Sequence, residues 1–442
     1  MKSDRLFDAE ALLKNYFKVD CAIASVDVLS EPERRNVILR LHLVSELSTV
    51  PPSVILKQSV RSEEEEHEMH QRFARDWAGL EFLNQQPDLE HIIPRFYGEN
   101  STCRFILQED LGMPHISLVD SLTRPNKNEA VATLSRFMRA LGRMHAASAQ
   151  HLNEYRRIFT RIHPKALDEQ VEYLLVYQEL IQRLELSAQA LGLTVSESLI
   201  NEVGQIAKKV LLPGAFTVLT HGDICPDNVF VQPKSLGHDL QLIDFEWSFI
   251  RSGLLDGTYL RMSFPTCWCA KAIPEEVIQT LEQIYRQELM NTIPAANDEA
   301  LYQEAYVYAC AFWVLQQTLH FIPSVLHTDR VGPSGPVPSD SLWNARQNTV
   351  RPRVLARLQA FSTIASQTHL LPHLNNLVHD MLATLHLIWE NVETLKYYSS
   401  FMNREHSYTE SYLSCFRNAS EKLIRYRFIA CVICIPSSAP RK

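Results

Sequence analysis

Leu219-Thr220-His221-Gly222-Asp223-Ile224-Cys225-Pro226-Asp227-Asn228-Val229-Phe230-Val231 is followed, after Gln232 to Asp239, by Leu240-Gln241-Leu242-Ile243-Asp244-Phe245-Glu246. Two short apolar segments, 228–231 and 240–244, flank a polar connection, which is the pattern of a β-hairpin. Folding the hairpin about position 236 sets Asn228 opposite Asp244. Opposed residues of an antiparallel pair have Cα atoms about 4.5–5.5 Å apart. An amide oxygen and a carboxylate then meet where the hairpin opens. That is a hard, all-oxygen donor pair suited to Mg²⁺, which keeps waters and phosphate oxygens for the rest of its shell. Asp223 lies on the loop leading in, close to such an ion without being forced onto it.

One Asp to accept the proton of an attacking hydroxyl, with an Asn and a second Asp to hold a metal on phosphates, is how phosphoryl transfer is assembled. The spacing matches the protein-kinase pattern His-Arg-Asp-x-x-x-x-Asn followed by Asp-Phe-Gly. Here Gly222 replaces the Arg and Glu246 the final Gly. Each short string is common by itself, and the plain alternative is a set of ordinary turn residues. Their order and their strand context carry the signal.

Upstream, residues 1–20 read as an amphipathic helix and 21–60 as strands, with Leu39, Leu41 and Leu43 alternating with Arg40 and His42. Ser30 to Asn36 is turn-like, and Pro51-Pro52 restarts the chain into Val54-Ile55-Leu56-Lys57, which puts Ile55 and Lys57 on one face. The run Glu63 to Glu66 reads as solvated charge. Residues 68–84 have helical spacing (Phe73, Trp77, Leu80, Leu83), and a strand over 104–108 ends at Glu109-Asp110-Leu111-Gly112. Downstream, helices are expected over 129–148, 166–190, 196–211, 274–326 and 342–400. A Gly/Pro-rich surface loop falls at 332–338, and disorder is expected from Pro436.

At this point a family is recognisable. His221-Gly222-Asp223, Asn228 and Ile243-Asp244-Phe245-Glu246 resemble the aminoglycoside phosphotransferase and choline kinase superfamily of small-molecule kinases. The resemblance extends to Phe73-x-Arg75-Asp76-x-x-x-Leu80-x-x-Leu83, Leu107 to Gly112, Leu141-x-x-Met144-His145 and Gly253-x-x-Asp256, over roughly residues 20–275. It implies an α+β, bilobal protein-kinase-like fold with a small antiparallel-sheet N-lobe and a large, mainly helical C-lobe. The implied divisions are 1–110 (nucleotide lobe and hinge), 111–275 (catalytic core), 276–435 (further C-lobe helices) and 436–442 (tail). It also implies Asp223 as catalytic base, Asn228 and Asp244 as Mg²⁺ ligands and Lys57 on the nucleotide's α/β phosphates. Asp76 stands where the family has Glu as the lysine's partner, with Glu81 as fallback. Asn36 follows the nucleotide-covering turn, and Gln108 to Asp110 present backbone groups to adenine. That turn contains no glycine, so Arg34 or Arg35 would have to help cover the phosphates. His221 and Asp256 would brace the catalytic loop. His145, alone on an apolar helix face, reads as a satisfied structural histidine.

The implied activity is transfer of the γ-phosphate of ATP or GTP, with Mg²⁺, to a hydroxyl of a small molecule. Glu246, Trp247, Tyr259, Trp268 and Trp313 are candidates for the acceptor pocket, where aromatics and an acid would suit a cationic amine. Taken singly, each aromatic is better read as part of a packed core. A competing reading, from the glycine-free turn and the Asp at 76, is a nucleotide-binding pseudokinase. A protein kinase is disfavoured because the interval from Glu246 to Asp256 is too short for an activation loop.

Composition agrees with a folded enzyme. Of 442 residues, 46% are hydrophobic and 21% charged, which excludes bulk disorder. A net charge of −8 with no basic stripe argues against nucleic acid. The longest apolar run, Ala305 to Leu315, is short of a membrane span. Nine scattered cysteines suggest a reducing compartment, hence cytoplasm. The pairs Cys267/Cys269 and Cys431/Cys434 lack the second knuckle that a structural zinc site wants, and read as buried, inert thiols. Cys225 sits in the loop with nothing nearby in sequence to make it a nucleophile.

Overall fold

The computed structural model describes residues 4–30, 36–60, 66–112, 116–165, 169–231, 240–332 and 348–402. Arg34 and Arg35, Glu63 to Glu65, the hairpin connection 232–239, the loop at 333–338, Cys431/Cys434 and the tail lie outside these residues.

Helix α1 (Asp4–Phe17) precedes strands β1 (Ala22–Val28), β2 (Asn36–Val44) and β3 (Ser53–Ser59). Helix α2 (Glu66–Leu83), β4 (Phe96–Asn100) and β5 (Phe105–Glu109) complete the first lobe. Its five strands form an antiparallel sheet in the order β1-β2-β3-β5-β4. The alternation in β2 buries Leu39 and Leu41 against Leu13, Val54, Leu56, Phe105 and Leu107, the small core under α1. The sequence reading missed β4. Phe96-Tyr97-Gly98-Glu99-Asn100 carries no apolar alternation and pairs only through a register shift at Gly98.

The second lobe is helical: α3 (Leu118–Thr123), α4 (Lys127–Ala149), α5 (Leu152–Ile162), α6 (Glu169–Ala190) and α7 (Glu197–Leu211). Strands β6 (Thr217–Thr220), β7 (Val229–Phe230), β8 (Gln241–Leu242) and β9 (Phe249–Ser252) follow, then α8 (Leu254–Gly257), α9 (Glu275–Leu289) and α10 (Glu299–Trp313). α10 runs into a π turn, Val314–Thr318, before α11 (Ile322–Val325), α12 (Val350–Thr368) and α13 (Pro372–Ile388). The expected helix over 274–326 is therefore broken by a 3₁₀ turn at Pro294–Asn297 and by the π turn.

This is a bilobal, protein-kinase-like architecture, with an antiparallel N-terminal sheet above a larger helical region. Among the described residues no helix is long and apolar enough to cross a membrane.

The hairpin differs from expectation by one residue. Val229 pairs with Leu242 and Phe230 with Gln241, and the Ile243 amide donates to the Asn228 carbonyl at 3.0 Å. Asn228 therefore stands opposite Ile243, with Asp244 one step further out. The strands have only two residues each, and Asp244 leaves the ladder at φ +72°. A non-glycine residue seldom adopts this left-handed conformation, and such strain concentrates at functional positions.

Candidate active site between the lobes

Lys57 lies in β3 opposite Ile38 of β2 and Ile106 of β5, with a buried side chain. Its Nζ is 2.8 Å from Asp76 Oδ2 and 2.5 Å from Asp244 Oδ1. One ammonium thus joins the sheet, helix α2 and the segment after the hairpin. The shorter Asp76 reaches because α2 lies close: a Cβ on Gly79 would stand 3.0 Å from both Phe245 Cβ and Ser248 Oγ. Asp76 Oδ1 also accepts from the Phe245 amide at 3.0 Å. Glu81 points elsewhere, accepting from Trp77 Nε1 and Arg161.

Burial alone would lower the Lys57 pKa, but Asp244 and Asp76 raise it above that of an ordinary lysine. Burial would raise Asp244, and Lys57 instead holds it below the usual carboxylate range. Asp76 is pushed up by burial despite Lys57. An anionic Asp244 held by a shared cation is the state in which a carboxylate can accept a metal.

Asn36, the first residue of β2, donates from Nδ2 to Glu246 Oε2 at 3.1 Å. This moves Glu246 from the acceptor side, where the sequence reading placed it, to the Lys57 side. There burial, then Asp244, raise its pKa. Asp110 is spent within the first lobe: its carboxylate accepts from Arg40 Nε at 2.6 Å, from Ser53 Oγ at 2.5 Å and from the Gly112 amide at 3.0 Å. Gln108 sits inside β5, in register with Ile55 and Phe96. Both residues are therefore parts of the sheet and hinge, with the Asp110 carboxylate committed within the first lobe.

The loop from His221 to Asn228 is fixed from behind. Asp256 accepts from the His221 and Gly222 amides at 2.6 and 3.2 Å, and the His145 ring lies 3.2 Å from it. Burial would raise Asp256, but the His145 hydrogen bond and charge hold it low. His145 also contacts Tyr285 Oη at 2.8 Å, and that hydroxyl donates to the Gly253 carbonyl. His221 Nε2 donates to the Ile243 carbonyl at 2.9 Å, tying loop to hairpin.

Gly222 has φ +82°, and a Cβ there would meet the Trp247 carbonyl oxygen at 2.1 Å. This close approach explains why the kinase arginine is missing. Gly222→Ala should therefore lose more than about 1 kcal/mol of stability, because alanine is incompatible with both the space and the dihedral. Chemical denaturation beside Gly214→Ala, which has only one atom within 4 Å, checks this.

Asp223 Oδ1 accepts from Thr266 Oγ1 at 2.5 Å and from Cys225 Sγ at 3.1 Å. Burial raises its pKa, offset in part by those two bonds. Asn228 Nδ2 donates to the Asp223 carbonyl at 2.8 Å. Asp223 opens onto a cleft of about 400 Å³ bordered by Trp247, Arg251, Trp313, Gln316, Gln317 and His320.

Of the sequence-expected acceptor residues, Trp247 and Trp313 border this cleft, and the Arg72 guanidinium lies 4.2 Å from the Trp247 ring centre. Tyr259 does not. It is buried behind the loop, donating to the Gly222 carbonyl at 2.9 Å. Trp268 is pinned to Asp227 Oδ2 through Nε1 at 2.8 Å. Arg251, Thr266 and the Gln316-Gln317 pair were missed. The glutamines had a signal in that they interrupt the chain's longest apolar run. π turns occur disproportionately at functional sites, and this one brings both glutamines to the cleft.

The two lobes, with Lys57 between two acids at their junction, define a kinase-like protein related at a distance to the aminoglycoside phosphotransferase and choline kinase superfamily. Residues 53–297 match the ecdysteroid kinase-like family, more than half of the chain, and the chain belongs to that family. This replaces the aminoglycoside phosphotransferases as its immediate family. Among solved structures the chain is similar to a choline kinase from Cryptosporidium parvum Iowa II, with 11% identity and a TM-score of 0.46, over 83% of this chain and 94% of that one. It is also similar to the choline kinase LicA from Streptococcus pneumoniae, with 13% identity and a TM-score of 0.40, over 82% and 100%. A search of curated proteins found no match.

Proposed function

We propose that the protein transfers the γ-phosphate of ATP or GTP to a hydroxyl of a neutral, polyhydroxylated small molecule, as the ecdysteroid of the family's name would be. The observation that carries this reading is the Lys57 ammonium held between Asp76 and Asp244, tied through Ile243 and His221 to the loop whose Asp223 borders open space. Lys57 steadies the phosphates. Asp244 and Asn228 hold Mg²⁺; with the Asn228 nitrogen committed to the loop carbonyl, its oxygen is the end a cation meets. Glu246, beside Asn36, adds carboxylate on the same side. Asp223 orients the acceptor hydroxyl and takes its proton. Catalysis is positioning plus charge stabilisation.

The cleft's chemistry supports the neutral acceptor. Asp223 is the single carboxylate among its bordering residues, while Arg183, Arg251 and His320 border it as well. A quaternary or primary amine would be repelled, whereas hydroxyls would find amide and guanidinium donors beside the faces of Trp247, Trp313 and Phe321. Nucleotide turnover over a panel of polyhydroxylated steroids, choline, an aminoglycoside and a sugar tests this. Turnover confined to the neutral steroids is expected, and turnover confined to choline or the aminoglycoside overturns it. Mg-nucleotide binding with no turnover across the panel would favour the pseudokinase instead.

A further inference from the structure

Two thiols and a carboxylate that the proposed phosphoryl transfer does not use converge beneath the catalytic loop, with a third thiol, Cys269, adjoining one of them. Cys225 Sγ, Cys267 Sγ and an Asp227 carboxylate oxygen all lie within 4.8 Å of one another. Cys269 follows two residues after Cys267, and its amide donates to Cys267 Sγ at 3.1 Å. All three cysteines are buried free thiols. In sequence Cys267 and Cys269 lacked a second pair of ligands. The fold supplies it from the catalytic loop, because Thr266 is drawn onto Asp223 and Trp268 onto Asp227.

A second observation stands beside the first. Arg353 and Arg357, one turn apart on α12, are 1% and 0% exposed. Their hydrogen bonds go to neutral acceptors: Arg353 to the Cys267 and Trp268 carbonyls and Asn348, and Arg357 to the Met262, Ser263 and Phe264 carbonyls. Arg353 Nε and Arg357 Nη1 have no partner among the described residues. Two buried guanidiniums without an anion are costly, and thiols are the groups beside them.

We propose that Cys225, Cys267, Cys269 and Asp227 form a structural Zn²⁺ site that clamps the catalytic loop to α12 through the Thr266–Cys269 segment. Four sulfur and oxygen ligands match the tetrahedral preference of zinc. Three thiolates and one carboxylate around a divalent ion leave two negative charges, which Arg353 and Arg357 balance. The three thiol protons leave to solvent as the metal binds. A Cys225–Cys267 disulfide, the other use of these sulfurs, would remove the thiols and leave both arginines uncompensated. Cys225 Sγ gives up its hydrogen bond to Asp223 Oδ1 as the metal takes its proton's place, which leaves Thr266 Oγ1 as the donor to that oxygen.

The test is independent of any phosphotransfer. The full chain, purified without added metal or chelator, is assayed for zinc by mass spectrometry, then stripped and reloaded with Co²⁺ for its absorption spectrum. Expected are about one zinc per chain and the thiolate charge-transfer and intense ligand-field bands of tetrahedral cobalt. Cys267→Ser should weaken zinc binding by more than about tenfold, while Cys310→Ala, a buried thiol in α10, leaves it unchanged. If Cys267→Ser does not fold, Cys269→Ser serves, and the charge-transfer intensity of the wild-type protein counts its thiolates. No retained metal with no cobalt–thiolate band overturns the proposal. So do bands unaltered by either variant, or a Cys225–Cys267 disulfide in non-reducing peptide maps.

Discussion

Asp223→Asn should cut phosphate transfer by about 10²–10⁴-fold, the contribution of a positioned general base, while Mg-nucleotide still binds. The substitution keeps the side chain's size and an oxygen able to accept from Thr266, so the loop braced by Asp256 stays in place. What is lost is the capacity to take a proton. Burial raises the pKa of Asp223, so the acid limb of kcat/KM should lie above the ordinary carboxylate range, with activity rising as pH passes through that value. Thr266→Val removes a hydrogen bond that favours the charged form. The pKa then rises further, and the acid limb moves to higher pH with the plateau rate less affected. A rate–pH series on wild type, Asp223→Asn and Thr266→Val reads all three effects. Wild-type turnover in Asp223→Asn would remove Asp223 from the chemistry.

The loop and hairpin were legible because their chemistry is local. Asp223, Asn228 and Asp244 lie on one short stretch, and strands, turn and spacing are all written there. The missing details are set by contacts from far away in sequence. The one-residue offset of Asn228 against Asp244 depends on where two-residue strands stop, which no alternation pattern of that length can specify. Glu246 was assigned to the wrong side because its neighbour, Asn36, comes from β2. Tyr259 and Trp268 looked like pocket aromatics, but their polar tips are held by the loop, at Gly222 and Asp227. An aromatic with a hydrogen-bonding handle satisfies either role in sequence. Asp76 was legible for a different reason. Its place was given by the family resemblance, at the position where Glu is usual, and the close approach its shorter side chain needs goes with Gly79 three residues on.

The charged trio at the lobe junction, Lys57 and Asp76 buried and Asp244 partly so, yields the largest stability effect. Lys57→Met leaves Asp76 and Asp244 facing one another without their cation. Removing one partner of a buried ion pair costs about 3–5 kcal/mol, and that loss is expected in chemical denaturation of the nucleotide-free protein. The double variant Lys57→Met/Asp76→Leu should regain only part of it, since an apolar replacement of a buried pair is close to neutral but Asp244 still lacks its cation. Its phosphate transfer should stay down by at least about 10²-fold, as when a preorganised charge donor to the transition state is removed. The pH dependence separates this from simple loss of packing. In Lys57→Met both carboxylates lose the charge that opposed their burial, so their folded pKa values rise above the unfolded value of about 3.9. The folded state then binds more protons than the unfolded one, and stability falls as pH rises through that window. The deficit of Lys57→Met should accordingly shrink on acidification toward pH 4 and reach its full size at neutral pH. A deficit independent of pH would mean that Lys57 stabilises through its packed methylenes alone, and that Asp76 and Asp244 do not share its charge.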